Sequence, residues 1–130
     1  MSALYLDSSA LCKLVAQEPE SPAIHSLVVS HDGDLVASDL ARTEVLRMAG
    51  RLDPPRRAEA RAVLDALVLV PLLTRITDAA GVIGPPELRS LDALHLATAL
   101  ELGDDLAGIV TYDQRQADAA RQLGLTVISP

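Results

Sequence analysis

Short apolar runs alternate along the chain with longer stretches in which apolar residues return every three or four positions, the pattern of strands interleaved with helices. Leu4, Tyr5 and Leu6 form the first run, which reads as a strand buried on both faces. A helical pattern follows from about Ala10 to Gln17, through Leu11, Leu14 and Val15, until Glu18-Pro19-Glu20-Ser21-Pro22 stops it. Ser21 as N-cap and Pro22 at the first helical position open a second helix, with Ile24, Leu27 and Val28 as its buried face. His31-Asp32-Gly33-Asp34 is turn chemistry, and Leu35-Val36-Ala37 is a short strand. Ser38 and Asp39 cap the next helix, whose stripe is Leu40, Ala41, Val45 and Met48. Asp53 and Pro54 start another, running through Ala58, Ala62, Val63 and Leu67.

The second half repeats the alternation. Val68 to Leu72 reads as a strand, and Pro71, which cannot donate to a ladder, assigns it to a sheet edge. Thr74 to Ile83 is a weaker helix with Gly81 inside it, ended by Gly84-Pro85-Pro86. Ser90 to Leu100 is apolar nearly all round, as a central buried helix is, and Gly103 is its natural stop. Gly108-Ile109-Val110-Thr111-Tyr112 is a strand, Gln114 to Leu123 a helix stopped by Gly124, and Leu125 to Ile128 the last strand. Strands that alternate with helices imply an α/β fold, a parallel sheet with helices on both faces. The 130 residues fit one domain, 1–130, with no repeat or linker.

Composition narrows the picture. The core must be aliphatic, since there is no Phe or Trp and only two Tyr. Cys12 is the only cysteine, which excludes an internal disulfide and suits a reducing compartment. No basic segment leads into a long apolar run, and no run approaches the roughly 20 residues of a membrane span. The expected location is the cytoplasm, with no membrane contact. A net charge of −7 argues against a simple nucleic-acid binder, which carries a basic footprint. Bound cations invert that logic in an acidic site. Six of the eleven basic residues also cluster at Arg42, Arg47, Arg51, Arg56, Arg57 and Arg61, as a solvated helix face or as a phosphate- or partner-facing rim.

The chemistry lies in four carboxylates. Asp7 and Asp113 each end an apolar strand, where α/β sheets bind their ligands. Asp92 opens the buried helix, and Glu44 lies on an apolar stripe, four residues after Leu40 and four before Met48. Three have a plain alternative, Asp113 and Asp92 as helix-start residues and Glu44 as the partner of Arg42 or Arg47; His95, one turn past Asp92, reads as a hydrogen-bonded core histidine. Together, four acids above one sheet edge repel one another unless a cation intervenes. Oxygen ligands without a Cys or His cluster select Mg²⁺ or Mn²⁺ over Zn²⁺.

Leu6-Asp7-Ser8-Ser9-Ala10-Leu11, Glu44 in its helix, Leu91-Asp92-Ala93-Leu94-His95-Leu96-Ala97 and Thr111-Tyr112-Asp113-Gln114-Arg115 resemble the four acidic motifs of PIN-domain ribonucleases, most closely the VapC toxins of VapBC toxin–antitoxin pairs. The resemblance spans essentially the whole chain. It implies a three-layer α/β/α fold with a parallel sheet of order 3-2-1-4-5, and Asp7, Glu44, Asp92 and Asp113 as catalytic, metal-holding residues. It further implies Mg²⁺-dependent cleavage of RNA by metal-activated water, with Mn²⁺ able to substitute. The partners implied are structured RNA of the translation machinery, a VapB-type antitoxin and a second copy in a homodimer.

Ser9 and Thr111 are placed to orient carboxylates, or simply to cap a helix and fill a strand; Arg89 and Arg115 flank two of the acids and suit phosphate. The lack of Phe and Trp removes the usual stacking platforms for unpaired bases, leaving Tyr5 and Tyr112. Competing readings fare worse. A receiver domain needs an acid after the third strand, and a haloacid-type phosphatase needs an Asp where this chain has Ser9. A PIN-like RNA- or protein-binding module without cleavage is the remaining alternative.

Overall fold

The computed structural model describes residues 2–130. Five parallel strands form one sheet: β1 (Ala3–Leu6), β2 (Leu35–Ser38), β3 (Val68–Val70), β4 (Leu106–Val110) and β5 (Val127–Ile128), in the order β3-β2-β1-β4-β5. The expected order 3-2-1-4-5 is therefore present, and β3, just ahead of Pro71, is an edge strand. β1 is central, pairing Tyr5 with Val36 on one side and with Ile109 on the other.

Seven α-helices cover the two faces. α1 (Ser8–Val15), α2 (Ser21–Ser30), α3 (Asp39–Ala49) and α4 (Pro54–Asp65) connect strands that step in one direction, and all lie on one face. α5 (Thr74–Ala80) and α6 (Ser90–Leu100) carry the chain back past β1, and α6 packs on the other face with α7 (Gln114–Gln122). The residues of β1 divide accordingly. Leu4 and Leu6 join Leu11, Ile24, Val45 and Leu64 on the first face; Ala3 and Tyr5 join Leu96, Ile109 and Ala120 on the second. The reversal of strand order beside β1 leaves a crevice at the carboxyl ends of β1 and β4, where sheets of this kind bind ligands.

Local chemistry shifts several boundaries. α1 begins two residues before the expected Ala10, because Asp7 leaves β1 in an extended conformation and caps the helix by accepting the Ala10 N–H. α2 starts at Ser21 rather than after it; the Ser21 hydroxyl bonds back to the Lys13 and Ala16 carbonyls instead of capping its own helix. α4 buries Ala60 and Leu64, while Ala58 and Ala62 face solvent. α5 ends at Ala80 with Gly81 as its C-cap, so the glycine terminates the helix rather than interrupting it. Gly124, with φ +81°, takes the left-handed turn that stops α7.

Candidate active site

Asp7 is the anchor. Only 4% exposed, it accepts at Oδ1 from the Ala10 N–H (3.1 Å) and the Ser9 hydroxyl (2.6 Å), and at Oδ2 from the Thr111 hydroxyl (2.5 Å). A carboxylate offers about four lone-pair sites, so three donors leave room for one more partner. Burial pushes the Asp7 pKa up, against the pull of the Ser9 and Thr111 bonds. Both hydroxyls are themselves fixed: Ser9 Oγ accepts the Tyr112 N–H at 2.9 Å, and Thr111 Oγ1 accepts the Asp113 N–H at 3.1 Å. Ser9 and Thr111 thus tie the end of β1 to the end of β4 through the Asp7 carboxylate.

Asp113 is the N-cap of α7. Its Oδ1 accepts from the Arg115 N–H (2.9 Å) and the Gln116 N–H (3.3 Å). Asp92, in the first turn of α6, makes no hydrogen bond or ion pair among the described residues. Its pKa is raised by partial burial first, then by Asp113 and Asp7, against the pull of His95 and Arg89. Asp92 and Asp113 line a cleft of about 370 Å³ together with Arg89, Gln114 and Arg115. Both arginine side chains are exposed, without ion pairs among the described residues.

Glu44 is differently placed. The residue on the stripe of α3 pairs with neither Arg42 nor Arg47. Its Oε1 accepts from His95 Nε2 (2.8 Å) and from the Ser8 hydroxyl. Burial works to raise its pKa, but the His95 and Ser8 bonds outweigh that and hold it below the usual range. His95 is 2% exposed, and the Tyr5 hydroxyl, 2.6 Å away, donates to its Nδ1. That assignment follows from Glu44: its carboxylate only accepts, so Nε2 donates to it and Nδ1 is left to accept from the phenol. A chain of bonds therefore runs Tyr5–His95–Glu44 from the heart of the sheet to α3. His95 is a core histidine, as its apolar helix suggests. Sequence reasoning missed Ser8 and left Tyr5 as a stacking ring for bases; Tyr5 is instead fully buried in the central strand, where its hydroxyl serves His95.

Among the described residues, no group of three or more His, Cys, Asp or Glu side chains is placed to hold a metal ion, so the four expected carboxylates are not gathered around one point. Two of the four, Asp92 and Asp113, do line one cleft, and oxygen donors of this kind are the chemistry of a hard cation. Mg²⁺ is held through one or two carboxylates plus substrate phosphate rather than by an all-protein cage. The Asp92 side chain is free of competing bonds, and Asp113 and Asp7 act on it against the pull of His95 and Arg89. The Cys12 thiol reports the same field on the α1 side: burial, Glu44 and Asp7 push it up to about 11.

The PIN domain family model matches residues 4–122. Ribonuclease VapC46 of Mycobacterium tuberculosis is 46% identical over 130 residues, covering 100% of this chain and 99% of that relative. Among solved structures, Mycobacterium tuberculosis VapC20, described as a sarcin–ricin loop cleaving toxin, superposes with a TM-score of 0.77 at 14% identity, covering 98% of this chain and 99% of that one. VapBC2 from Rickettsia felis, solved on a DNA fragment from its promoter, gives a TM-score of 0.69 at 13% identity, with 97% of each chain covered. At such identities the two structures speak to the fold alone.

Proposed function

The chain belongs to the PIN-domain family, and within it to the VapC ribonucleases; on that premise we propose that it is a Mg²⁺-dependent endoribonuclease acting as the toxin of a toxin–antitoxin pair. The observation that carries the reading is Asp92: a half-buried carboxylate without a bonded partner, beside Asp113 and within the field of Asp7, between two unpaired arginines.

Asp92 and Asp7 would hold the ion, with Asp113 and Glu44 joining directly or through water; Mn²⁺ would substitute. When bound, such an ion supplies charge neutralisation and a more acidic water for in-line displacement at phosphorus. The protein's own contribution is orientation. Thr111 and Ser9 fix the Asp7 carboxylate, His95 and Ser8 fix Glu44, and Asp113 is held by the start of α7. Arg89 and Arg115 flank the cleft where a phosphodiester would lie, and a guanidinium grips phosphate with two parallel bonds. The products are a 5′-phosphate and a 3′-hydroxyl. The same reading takes in structured RNA of the translation machinery as substrate, a VapB-type antitoxin, a homodimer and a cytoplasmic location. No helix of the described residues is long and apolar enough to cross a membrane.

The test is incubation of the purified protein with cellular RNA in Mg²⁺, in Mn²⁺ and in excess chelator, with mapping of new 5′ ends. Discrete cuts in either metal and none in chelator are expected, with no cuts from Asp92→Asn. Cleavage that survives chelation, or an Asp92→Asn variant that cuts like the wild type, would defeat the proposal. Retention of RNA without a cut in any metal would favour the binding module instead.

A further inference from the structure

A second cavity opens from the acidic cleft, sharing Arg89, Asp92 and Arg115 with it. It occupies about 250 Å³ between the loop ahead of α6 and the outer face of α7. Its character differs from that of the cleft. Leu88 and Ala119 give it apolar walls, while Glu87 and Gln122, both exposed, stand at its rim. Drug-sized ligands use pockets of roughly 300–1,000 Å³; this one suits a single flat ring system. Neither Glu87 nor Gln122 has a side-chain hydrogen bond or ion pair among the described residues, so both polar ends are available. Asp118 also lines the cavity, but it is engaged by Gln114 and Arg121.

Resting on the nuclease reading, we propose that this cavity is a nucleobase subsite that takes an unpaired guanine next to the scissile phosphate. The two arginines at the shared threshold suit the backbone on either side of the cut. Leu88 and Ala119 offer the base apolar surface in a cavity whose lining holds no aromatic platform. Glu87 selects among bases by chemistry: an ionised carboxylate only accepts hydrogen bonds, and guanine presents two adjacent N–H donors on its Watson–Crick edge. Gln122 has both a donor and an acceptor for the remaining polar atoms. Single-stranded RNA is recognised through such splayed bases and their edges.

The experiment uses an RNA oligonucleotide that the full-length wild type cuts, with each nucleotide flanking the cut replaced in turn by guanosine, adenosine, cytidine, uridine or an abasic ribose. Wild type, Glu87→Gln and Gln122→Ala are compared by kcat/KM, and the amide NMR spectrum of each is followed during titration with guanosine 5′-monophosphate in chelator. One flanking position should prefer guanosine by about tenfold or more. Glu87→Gln should erase that preference, and all three proteins should converge on the abasic RNA. The nucleotide should shift amides of residues 87–89 and 119–122 in the wild type, and weakly in Glu87→Gln. Cleavage by the wild type with no base preference at either flanking position, or a guanosine preference that Glu87→Gln keeps, overturns the subsite and leaves the nuclease reading standing. Failure of the wild type to cut any RNA brings down both.

Discussion

Replacing Thr111 by valine keeps the shape of the side chain and removes one hydroxyl, which lies 3.3 Å from the Ser9 hydroxyl and makes two shorter bonds. It donates to Asp7 Oδ2 at 2.5 Å and accepts the Asp113 N–H at 3.1 Å. A hydrogen bond to a charged group contributes about 1.5–3 kcal/mol, and a buried donor left without an acceptor adds roughly 1 kcal/mol. With Thr111 fully buried and Asp7 only 4% exposed, water cannot readily replace either bond. The expected loss at pH 7 in chelator is about 2–4 kcal/mol, a fall in Tm of roughly 8–15 °C for a domain of this size. Thr111→Ser, which keeps the hydroxyl, should lose only about 1 kcal/mol. The pH dependence has a definite sign. Burial already raises the folded pKa of Asp7, and losing the Thr111 donor raises it further. For an acid whose folded pKa is raised, the associated stability is present at low pH and lost as pH climbs through that value. The gap between wild type and Thr111→Val is therefore widest near neutrality and narrows as acid protonates Asp7 in both proteins. Thermal unfolding followed by circular dichroism at pH 7 and about pH 3.5 tests this. A deficit no larger than that of Thr111→Ser, or one equal at both pH values, refutes the argument that the hydroxyl holds an ionised Asp7.

Asp92→Asn removes a carboxylate whose pKa is raised by burial, Asp113 and Asp7. In chelator at neutral pH it should stabilise the fold by less than about 1 kcal/mol, given its exposure, and the gain should vanish as pH falls through the raised pKa. Adding millimolar Mg²⁺ should reverse the order in a thermal-shift series, since only the wild type gains ligand stabilisation. Tyr5→Phe strips the donor from buried His95 Nδ1 and should cost about 1–3 kcal/mol in urea unfolding with an unchanged m-value. Gln116 is fully buried, and neither of its side-chain amide atoms has a partner among the described residues, so Gln116→Leu should stabilise by about 1–3 kcal/mol. A lower Tm for that variant would mean the amide is engaged in solution.

The features legible in the chain are those written locally. The apolar run before Asp7, the proline beside β3, the caps at Ser38, Asp53 and Asp113, and the glycine after α7 each carry their cause within a few residues. The bonds of Thr111 and Ser9 to Asp7 follow the same logic at one remove, because adjacent strand ends in a parallel sheet must meet. What escaped was long-range and pairwise. Nothing near Glu44 signals that its partner is His95, 51 residues away, rather than an arginine on its own helix. Nothing near Gln116 signals burial, since the polar sequence around it reads as an exposed first turn. The inner alanine of α4 was equally hidden: Val63 and Leu67 do pack on the core, but alanines are too small to mark a stripe, and packing against α1 and α3 put Ala60 inside rather than Ala58 or Ala62.

The clamp on Asp7 spans 104 residues, from the end of the first strand to the end of the fourth. A ribosome adding about 5–20 residues per second releases the amino-terminal half of this protein several seconds before the threonine that completes the clamp. Until then the carboxylate at the end of β1 has β2, its own helix and Ser9 beside it but not β4, and the Asp113 cap is not in place. A nascent or prematurely terminated chain that stops short of β4 lacks both the Thr111 bond and Asp113, so the proposed cutting centre cannot be complete before the fourth strand is made. For a protein proposed to attack the machinery that makes it, that delay keeps the emerging chain unarmed until its fourth strand is in place.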